Sequence, residues 1–326
     1  MRLAHELAEC VLPDHASRFS RHDFTLAQLF SCLVVREQLQ VSFRKIESIL
    51  ADTDWCQRLG MKRVPDHSTL CRAFRYIVTK SRLGSMLDVM AHYQQGRHRV
   101  GKTLAIDSTH YDTHHRSRHY ERRCRQNAVP QRKAADSRRS RTARTTPKLM
   151  IGVDTASHLI LSVKCKAGMG SDAPDFHDLL YEAWRRHGVR EVLADAGYDS
   201  EANHRIARLD MNVRSWIKTG IGRRTHKKAS GRYRRLMQLR LAGSQAGRLY
   251  ARRSQVETVM SMLKRNLGDS LRARKPRRRK MELMLKAITH NLMIITCGSR
   301  GSQQSPNDPF EFPYRLPEPS CPRQFQ

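Results

Sequence analysis

"TLAIDST", residues 103–109, is the stretch at which the apolar pattern of the chain changes from helical spacing to a short continuous run. A brief apolar and β-branched run of this kind predicts a buried strand. Asp107 closes the apolar run, and a carboxylate at the end of a buried strand is costly unless water, a partner or a cation accompanies it. Asp107 is therefore a candidate functional residue.

The stretches that follow extend this strand into an alternating pattern. "KLMIGVDTASHLILSVKCKAG" (148–168) predicts two strands joined by a turn at Asp154, and "VREVLADAGYDS" (189–200) predicts a buried strand that closes on Asp195. Helical patterns lie between and after these strands, and Asp172 or Asp175 is expected to cap one of them. The alternation predicts a mixed α/β fold for this part of the chain.

Upstream of residue 103 the pattern is helical throughout. Apolar residues recur at helical spacing from Phe24 to about Tyr93, which predicts an all-helical domain. Within it, "VPDHSTLCRAFRYI" (64–77) has polar residues suited to start a helix, followed by apolar residues at helical spacing. Such a helix suits insertion into a DNA groove, but a purely structural role accounts for it equally well.

These patterns divide the chain into three parts. We expect a helical domain over residues 1–98, with a DNA-binding role, and a mixed α/β domain over residues 99–299. An arginine-rich, apolar-poor loop is expected inside the second domain at residues 112–147. The tail, residues 300–326, is rich in Pro and Gln and is expected to be disordered.

The charge of the chain points to a polyanionic partner. Lys and Arg number 61 against 30 acidic residues, which gives a formal net charge of +31. Cationic side chains that neutralise phosphates release condensed counterions, so nucleic acid is the expected partner. The sequence has eight scattered cysteines without a C-x-x-C pair, no signal-peptide pattern and no apolar run long enough for a bilayer. These features predict a reduced, cytoplasmic protein that does not bind membranes. With nucleic acid as its partner, the protein is expected to be nucleoid-associated.

Asp107 and Asp195 follow two predicted strands of one domain, which suggests that they share a cation. Mg²⁺ prefers oxygen ligands and keeps several waters, which leaves room for a substrate phosphate. Two such ions can clamp the attacking and leaving oxygens of a phosphoryl displacement. Taken singly, either aspartate could equally be a turn-capping residue.

A third acid lies in the basic stretch "YARRSQVETVMSMLKRNLG", residues 250–268. On a helical wheel Tyr250, Arg253, Glu257 and Lys264 share one narrow face. The apolar residues gather on another arc that is expected to face the core: Val256, Val259, Met260, Leu263 and Leu267. The competing interpretation is a solvated face on which Glu257 pairs only with Arg253.

The spacing Y-x2-R-x3-E-x6-K, together with "AIDST" and "ADAGYDS" in that order, resembles the signature of bacterial insertion-sequence transposases of the Asp-Asp-Glu class, in the large group containing families four and five. The stretches "VSFRKIE" (41–47) and "VPDHSTL" (64–70) also resemble the N-terminal domain of that group. The resemblance spans roughly residues 25 to 295 and leaves out the arginine-rich loop and the tail.

The resemblance implies an RNase H-like catalytic domain, with a mixed central sheet flanked by helices, that cuts and joins DNA. By motif, Asp107, Asp195 and Glu257 would bind two Mg²⁺ ions, with Mn²⁺ as a substitute. Tyr250 and Arg253 would contact the DNA end, and Lys264 would hold backbone phosphate. The implied partners are double-stranded DNA, both transposon ends and target, and a second copy of the chain in a homodimer on DNA.

Two other functions remain open at this stage. One is an RNase H-like nuclease that cuts DNA without joining strands. The other is a non-enzymatic DNA-binding relic that uses the helical domain and the basic surface alone. The three acids count against the relic because carboxylates without a metal would repel phosphate.

Overall fold

The computed structural model describes residues 1–97, 100–114, 146–168, 170–220, 229–241 and 243–300. Most of the predicted arginine-rich loop (115–145) and the predicted tail (301–326) lie outside the described residues. The chain divides into two compact units, Met1–Tyr93 joined by residues from Ile295 onward, and Gln94–Ile294. Within the described ranges, none of the helices combines the length and the apolar character needed to cross a membrane.

The first unit is built from helices. They are α1 (Arg2–Val11), α2 (Leu26–Gln38), α3 (Phe43–Ala51), α4 (Trp55–Arg58), α5 (His67–Ile77) and α6 (Lys80–Gly96), whose last residues pass into the second unit. The helical spacing was expected to end at about Tyr93, and the helix continues to Gly96.

Helix α5 is the helix predicted from residues 64–77. The carboxylate of Asp66 accepts hydrogen bonds from the backbone N–H groups of Ser68 and Thr69, each at 2.8 Å, and so caps its first turn. Leu70, Phe74 and Ile77 are buried, and the helix packs against α2 and α3.

The second unit is mixed α/β. Its strands are β1 (Thr103–His110), β2 (Asp112–Thr113), β3 (Lys148–Asp154), β4 (Ile160–Lys166), β5 (Glu191–Ala194), β6 (Arg214–Ile217) and β7 (Ser270–Leu271). Its helices are α7 (Phe176–His187), α8 (Glu201–Arg205), α9 (Arg232–Arg240), α10 (Ser244–Ala251), α11 (Ser254–Leu267) and α12 (Pro276–Arg300), whose last turns belong to the first unit.

The central sheet has five strands in the order β4-β3-β1-β5-β6. Strands β1, β3 and β4 pair antiparallel, whereas β5 and β6 run parallel to β1. This mixed sheet, flanked by helices, confirms the predicted mixed α/β fold class and is the arrangement that the resemblance implies for an RNase H-like domain. The β3–β4 turn is also as predicted, because the Asp154 carboxylate accepts hydrogen bonds from the backbone N–H of Ser157 at 2.8 Å and from its hydroxyl at 2.7 Å.

The core face of α11 is the one predicted from the helical wheel. Its buried residues are Val256, Val259, Met260, Leu263 and Leu267. They join a cluster with apolar side chains of β1, β3 and β5, such as Ala105, Ile151 and Leu193. This packing fixes α11 against the middle of the sheet, while α7 packs against β4, β3 and β1.

A second, two-stranded sheet begins where the predicted loop was expected to begin. Asp112–Thr113 pairs in parallel with Ser270–Leu271, and the backbone N–H of His114 donates to the carbonyl of Leu271 at 3.0 Å. The expectation of an irregular loop from residue 112 is therefore wrong for residues 112–113. The pairing depends on residues more than 150 positions away, which no local pattern reveals.

Candidate active site

The two aspartates predicted at strand ends lie side by side at one edge of the central sheet. The parallel pairing of β1 with β5 ends at the pair Ile106 and Ala194, and the next residue on each strand is Asp107 or Asp195. Asp195 leaves the sheet there, as expected, and starts a 3-10 turn. Asp107 does not end its strand, because pairing with β3 carries β1 on to His110.

The third acid, Glu257, is linked to Asp107 by an arginine. Nη1 of Arg253 donates to Oδ2 of Asp107 at 3.1 Å, and Nη2 of the same guanidinium donates to Oε1 of Glu257. The Asp107 and Arg253 side chains are 18% and 19% exposed, whereas the Glu257 side chain is 55% exposed. One guanidinium thus joins two of the predicted ligands, which a surface pair of Arg253 with Glu257 alone would not do.

The electrostatic surroundings of Asp107 favour a cation. Burial raises the pKa of Asp107, and the negative charges of Asp195 and Glu257 raise it further. A 2.7 Å hydrogen bond from the backbone N–H of Ser108, and the charge of Arg253, act in the opposite direction without cancelling this effect. The concentration of negative charge at this edge is what a bound cation would relieve.

The donor chemistry fits a hard divalent ion, because all three acids offer carboxylate oxygens. Within the described ranges, however, no three His, Cys, Asp or Glu side chains stand close enough to form a preassembled metal site. The physical reason lies in the ion pairs, since the Arg253 guanidinium occupies the position between Asp107 and Glu257. Mutual repulsion of the acids acts in the same direction.

The stretch 250–268 is not one continuous helix, as the wheel assumed. Tyr250 belongs to α10, which ends at Ala251, and Arg253 is the N-cap of α11. The turn between them is tightened by hydrogen bonds three residues apart, such as Arg253 N–H to the Tyr250 carbonyl at 2.9 Å. Glu257 nevertheless lies in the first turn of α11, where the Arg253 guanidinium links it to Asp107.

The remaining signature residues lie around the same edge. The Tyr250 hydroxyl donates to the carbonyl of Ala194 at 3.2 Å, directly before Asp195, and burial raises the pKa of this phenol. Nζ of Lys264 stands 5.6 Å from the centre of the buried Tyr111 ring, just beyond the end of β1. Tyr250 therefore supports the strand end, and Lys264 lies further along α11.

A fourth acid near this edge was missed as a partner of the site. The Ser108 hydroxyl donates to Asp172 at 2.8 Å, and the buried ammonium of Lys148 pairs with the same carboxylate. Asp172 or Asp175 was expected to cap a helix, but neither side chain makes a capping hydrogen bond. Asp175 instead pairs with Lys164 at 2.9 Å. Each aspartate prefers a lysine brought by a strand, which local sequence cannot show.

A second missed contact involves the basic stretch 221–236, of which residues 221–228 lie outside the described residues. Asp199 accepts a hydrogen bond from the backbone N–H of Gly220 at 2.8 Å. The same carboxylate accepts from Nε and Nη2 of Arg234, at 2.9 and 2.7 Å. One buried acid thus fixes both flanks of the stretch close to Asp195. The spacing of "DAGYDS" offered the only hint, as a second Asp four residues on.

Residues 98–292 match the family model described as Transposase DDE domain, which is more than half of the chain. No curated protein matches the sequence. Among solved structures, a cryo-EM structure of a piggyBac transposase synaptic complex with hairpin DNA is similar, with 11% identity and a TM-score of 0.44, over 93% of this chain and 74% of that chain. At that level the likeness does not bear on function.

Proposed function

The chain belongs to the family of transposases with a DDE domain, and on that premise we propose that it is a bacterial insertion-sequence transposase of the group containing families four and five. It would bind the ends of its element, hydrolyse a phosphodiester there and let the freed 3′-OH attack target DNA. The observation that carries the proposal is the paired sheet edge, where Asp107 and Asp195 follow the last parallel pair and Glu257 is tied to Asp107 through Arg253.

Asp107, Asp195 and Glu257 would hold two Mg²⁺ ions, or Mn²⁺ in their place. When bound, such ions supply Lewis-acid stabilisation of the attacking and leaving oxygens. The protein side chains supply the rest. Burial of Asp107 against the sheet keeps its carboxylate oriented, and the Tyr250 hydrogen bond to Ala194 holds the strand end that carries Asp195.

The DNA contacts follow from the same residues. Lys264 would neutralise a backbone phosphate beside the acids, because its ammonium is a mobile point charge on the same side of α11. Arg253 and Tyr250 would contact the DNA end. In the helical unit, α5 presents exposed Arg72 and Arg75 on the face away from its buried residues, which suits a helix that enters a groove.

The wider organisation is proposed on the same basis. We assign DNA binding to residues 1–98 and catalysis to residues 99–299. Because two element ends must be brought together, the active form would be a homodimer on DNA. Its place in the cell would be the cytoplasm, associated with the nucleoid.

The test is cleavage of a plasmid that carries the coding sequence with its native flanking DNA. In Mg²⁺ the wild-type chain is expected to cut at the element ends, whereas Asp107→Ala, Asp195→Ala and Glu257→Ala are expected to be inactive. Asp210→Ala removes an exposed acid of the same unit and serves as the matched control, with cleavage expected as in wild type. Equal cleavage by all five proteins would overturn the assignment.

The joining step needs its own readout. A second plasmid offered as target should acquire the labelled element ends. Cleavage without joining under the same conditions would favour the nuclease interpretation and remove strand transfer from the proposal.

A further inference from the structure

The most basic short segment among the described residues lies after α11, outside the set of acids and signature residues. Seven of the nine residues from Arg272 to Lys280 are Arg or Lys, and none is acidic. The segment forms the turn that follows β7 and the first turn of α12. Its exposed cationic side chains are Arg274, Lys275, Arg277 and Lys280, and none of the four forms an ion pair with any residue that the structure describes.

The backbone of this segment is held in place by a buried acid. Glu282, which is 2% exposed, accepts hydrogen bonds from the backbone N–H groups of Arg272 at 3.0 Å and Ala273 at 2.9 Å. Nε of Arg279 donates to the carbonyl of Ala273 at 3.0 Å. The pairing of β2 with β7 holds the preceding residues. The exposed cations therefore project from a fixed turn and not from a flexible tail.

The arrangement is unfavourable for the helix itself. The N-terminal end of an α-helix carries a partial positive charge, so acidic side chains are preferred there and cationic ones are repelled. The first turn of α12 has no acid and carries Arg277. Cations concentrated where they lower stability indicate a surface that binds an anion.

The position of the segment defines which anion fits. Glu257 and Leu267 are separated by ten residues of α11, a rise of roughly 15 Å, and Lys264 lies between them. β7 and the basic turn follow directly. A duplex with a phosphodiester at the acids and a backbone phosphate near Lys264 would extend toward this turn. The rise of roughly 15 Å from Glu257 to Leu267 corresponds to about four or five base pairs of a duplex at 3.4 Å per pair.

We propose that Arg274, Lys275, Arg277 and Lys280 form a second, sequence-independent contact with the backbone of the duplex that is bound at the acids. The inference rests on the proposed function for the identity of that duplex. The contact adds affinity and orientation, and it takes no part in the chemistry.

The experiment measures binding of the full chain to a 30-base-pair duplex of random sequence, in EDTA, over a range of salt concentrations. Arg274→Ala/Arg277→Ala removes two cations and is expected to reduce the slope of log affinity against log salt by about 1.8. The matched control is Arg185→Ala/Arg190→Ala, which removes two exposed cations at the end of α7 and the start of β5, at the opposite end of that strand from Asp195. The control is expected to keep the wild-type slope. Equal slopes for both double variants would overturn the proposal.

A single charge reversal separates a binding role from a structural one. Arg277→Glu places an acid in the first turn of α12, so it is expected to raise the melting temperature while weakening duplex binding about tenfold or more. A lowered melting temperature, or unchanged binding, would count against the proposal.

Cleavage distinguishes this inference from the proposed function. With the plasmid substrate in Mg²⁺, Arg274→Ala/Arg277→Ala is expected to need more protein for half-maximal cleavage but to reach the wild-type rate at saturation. A wild-type chain that binds with the expected slope yet never cleaves would refute the proposed function and leave the contact intact. Cleavage by the wild-type chain, together with an unchanged salt slope in Arg274→Ala/Arg277→Ala, would support the proposed function and refute the second contact.

Discussion

Asp66 in the helical unit and Asp107 in the α/β unit have similar local sequences, but their pKa values are shifted in opposite directions. Each has Ser and Thr within the next three residues, and each accepts a hydrogen bond from a nearby backbone N–H. Hydrogen bonds from the Ser68 side chain and from backbone amides lower the pKa of the exposed Asp66, whereas burial raises the pKa of Asp107. Residues close in sequence are therefore enough to make Asp66 a helix cap, whereas residues distant in sequence give Asp107 its buried surroundings at the candidate active site.

The largest expected effect comes from the same substitution at both positions. Asp107→Asn keeps the shape of the side chain but removes the charge that a cation needs, so cleavage is expected to fall by at least about 10³-fold, or roughly 4 kcal/mol in the barrier. Asp66→Asn should leave cleavage unchanged and should lower stability by less than about 1 kcal/mol, because Asn is also a good N-cap although it lacks the charge. Rates from the plasmid assay and melting curves of both proteins check this pair. Comparable losses of cleavage in the two variants would contradict the different roles assigned to the two aspartates.

An intermediate effect is expected where the α/β unit uses an acid as the helical unit uses Asp66. The Glu201 carboxylate accepts hydrogen bonds from the backbone N–H groups of Tyr233 and Arg234, both at 3.1 Å, at the start of α9. Gly231 has a φ of +95°, and a Cβ there would collide with Glu201. Gly231→Ala is therefore expected to lower the free energy of unfolding by about 2–3 kcal/mol.

The control for that substitution is Gly247→Ala, also in the α/β unit. Gly247 lies within α10, and a Cβ there would meet no atom within 4 Å. Replacing a helical glycine with alanine should raise stability by about 0.5–1 kcal/mol. Denaturant unfolding of both variants measures the two changes in the free energy of unfolding. A similar loss of stability in both would show that the close approach of Glu201 is not the reason for glycine at position 231.

The smallest expected effect is loss of the cap itself. Asp66→Ala removes the acceptor for the first amides of α5 and is expected to cost about 1 kcal/mol. Because the pKa of Asp66 is lowered in the folded chain, its contribution is fully present above the unfolded value of about 4 and is lost progressively as the pH falls from there through the lower folded pKa. Unfolding measured at neutral pH and near pH 3 should therefore show a smaller difference between wild type and Asp66→Ala at the lower pH, without abolishing it. A difference that persists unchanged at pH 3 would contradict the capping role.

Much of the fold was predictable because its signals are local. Apolar runs ending at Asp107 and Asp195 gave the strands, and the spacing from Val256 to Leu267 gave the buried face of α11. These signals reflect burial of one face of an element, which a period of two or 3.6 residues records directly. The turn at Asp154 was equally local, since its partner is Ser157.

The connections within the candidate site were not predictable in the same way. Arg253 donates a hydrogen bond to Asp107, which is 146 positions away in the sequence. Asp172 forms an ion pair with Lys148 and does not cap a helix. Such pairs depend on which strand lies beside which. The helix assumed to be continuous over residues 250–268 is also interrupted, by a turn before Arg253 with hydrogen bonds three residues apart.

A basic chain with a helical part, a mixed α/β part and three acids in a recognisable order follows from the amino-acid sequence, because composition and periodicity are properties of the chain alone. The position of Asp107 beside Asp195 depends on folding, through the parallel pairing of β1 with β5. Folding also joins Asp107 to Glu257 through one guanidinium and fixes the basic turn before α12 by a buried glutamate. The reason is physical: the energy of a charge depends on its distances to other charges and to water, and folding sets those distances.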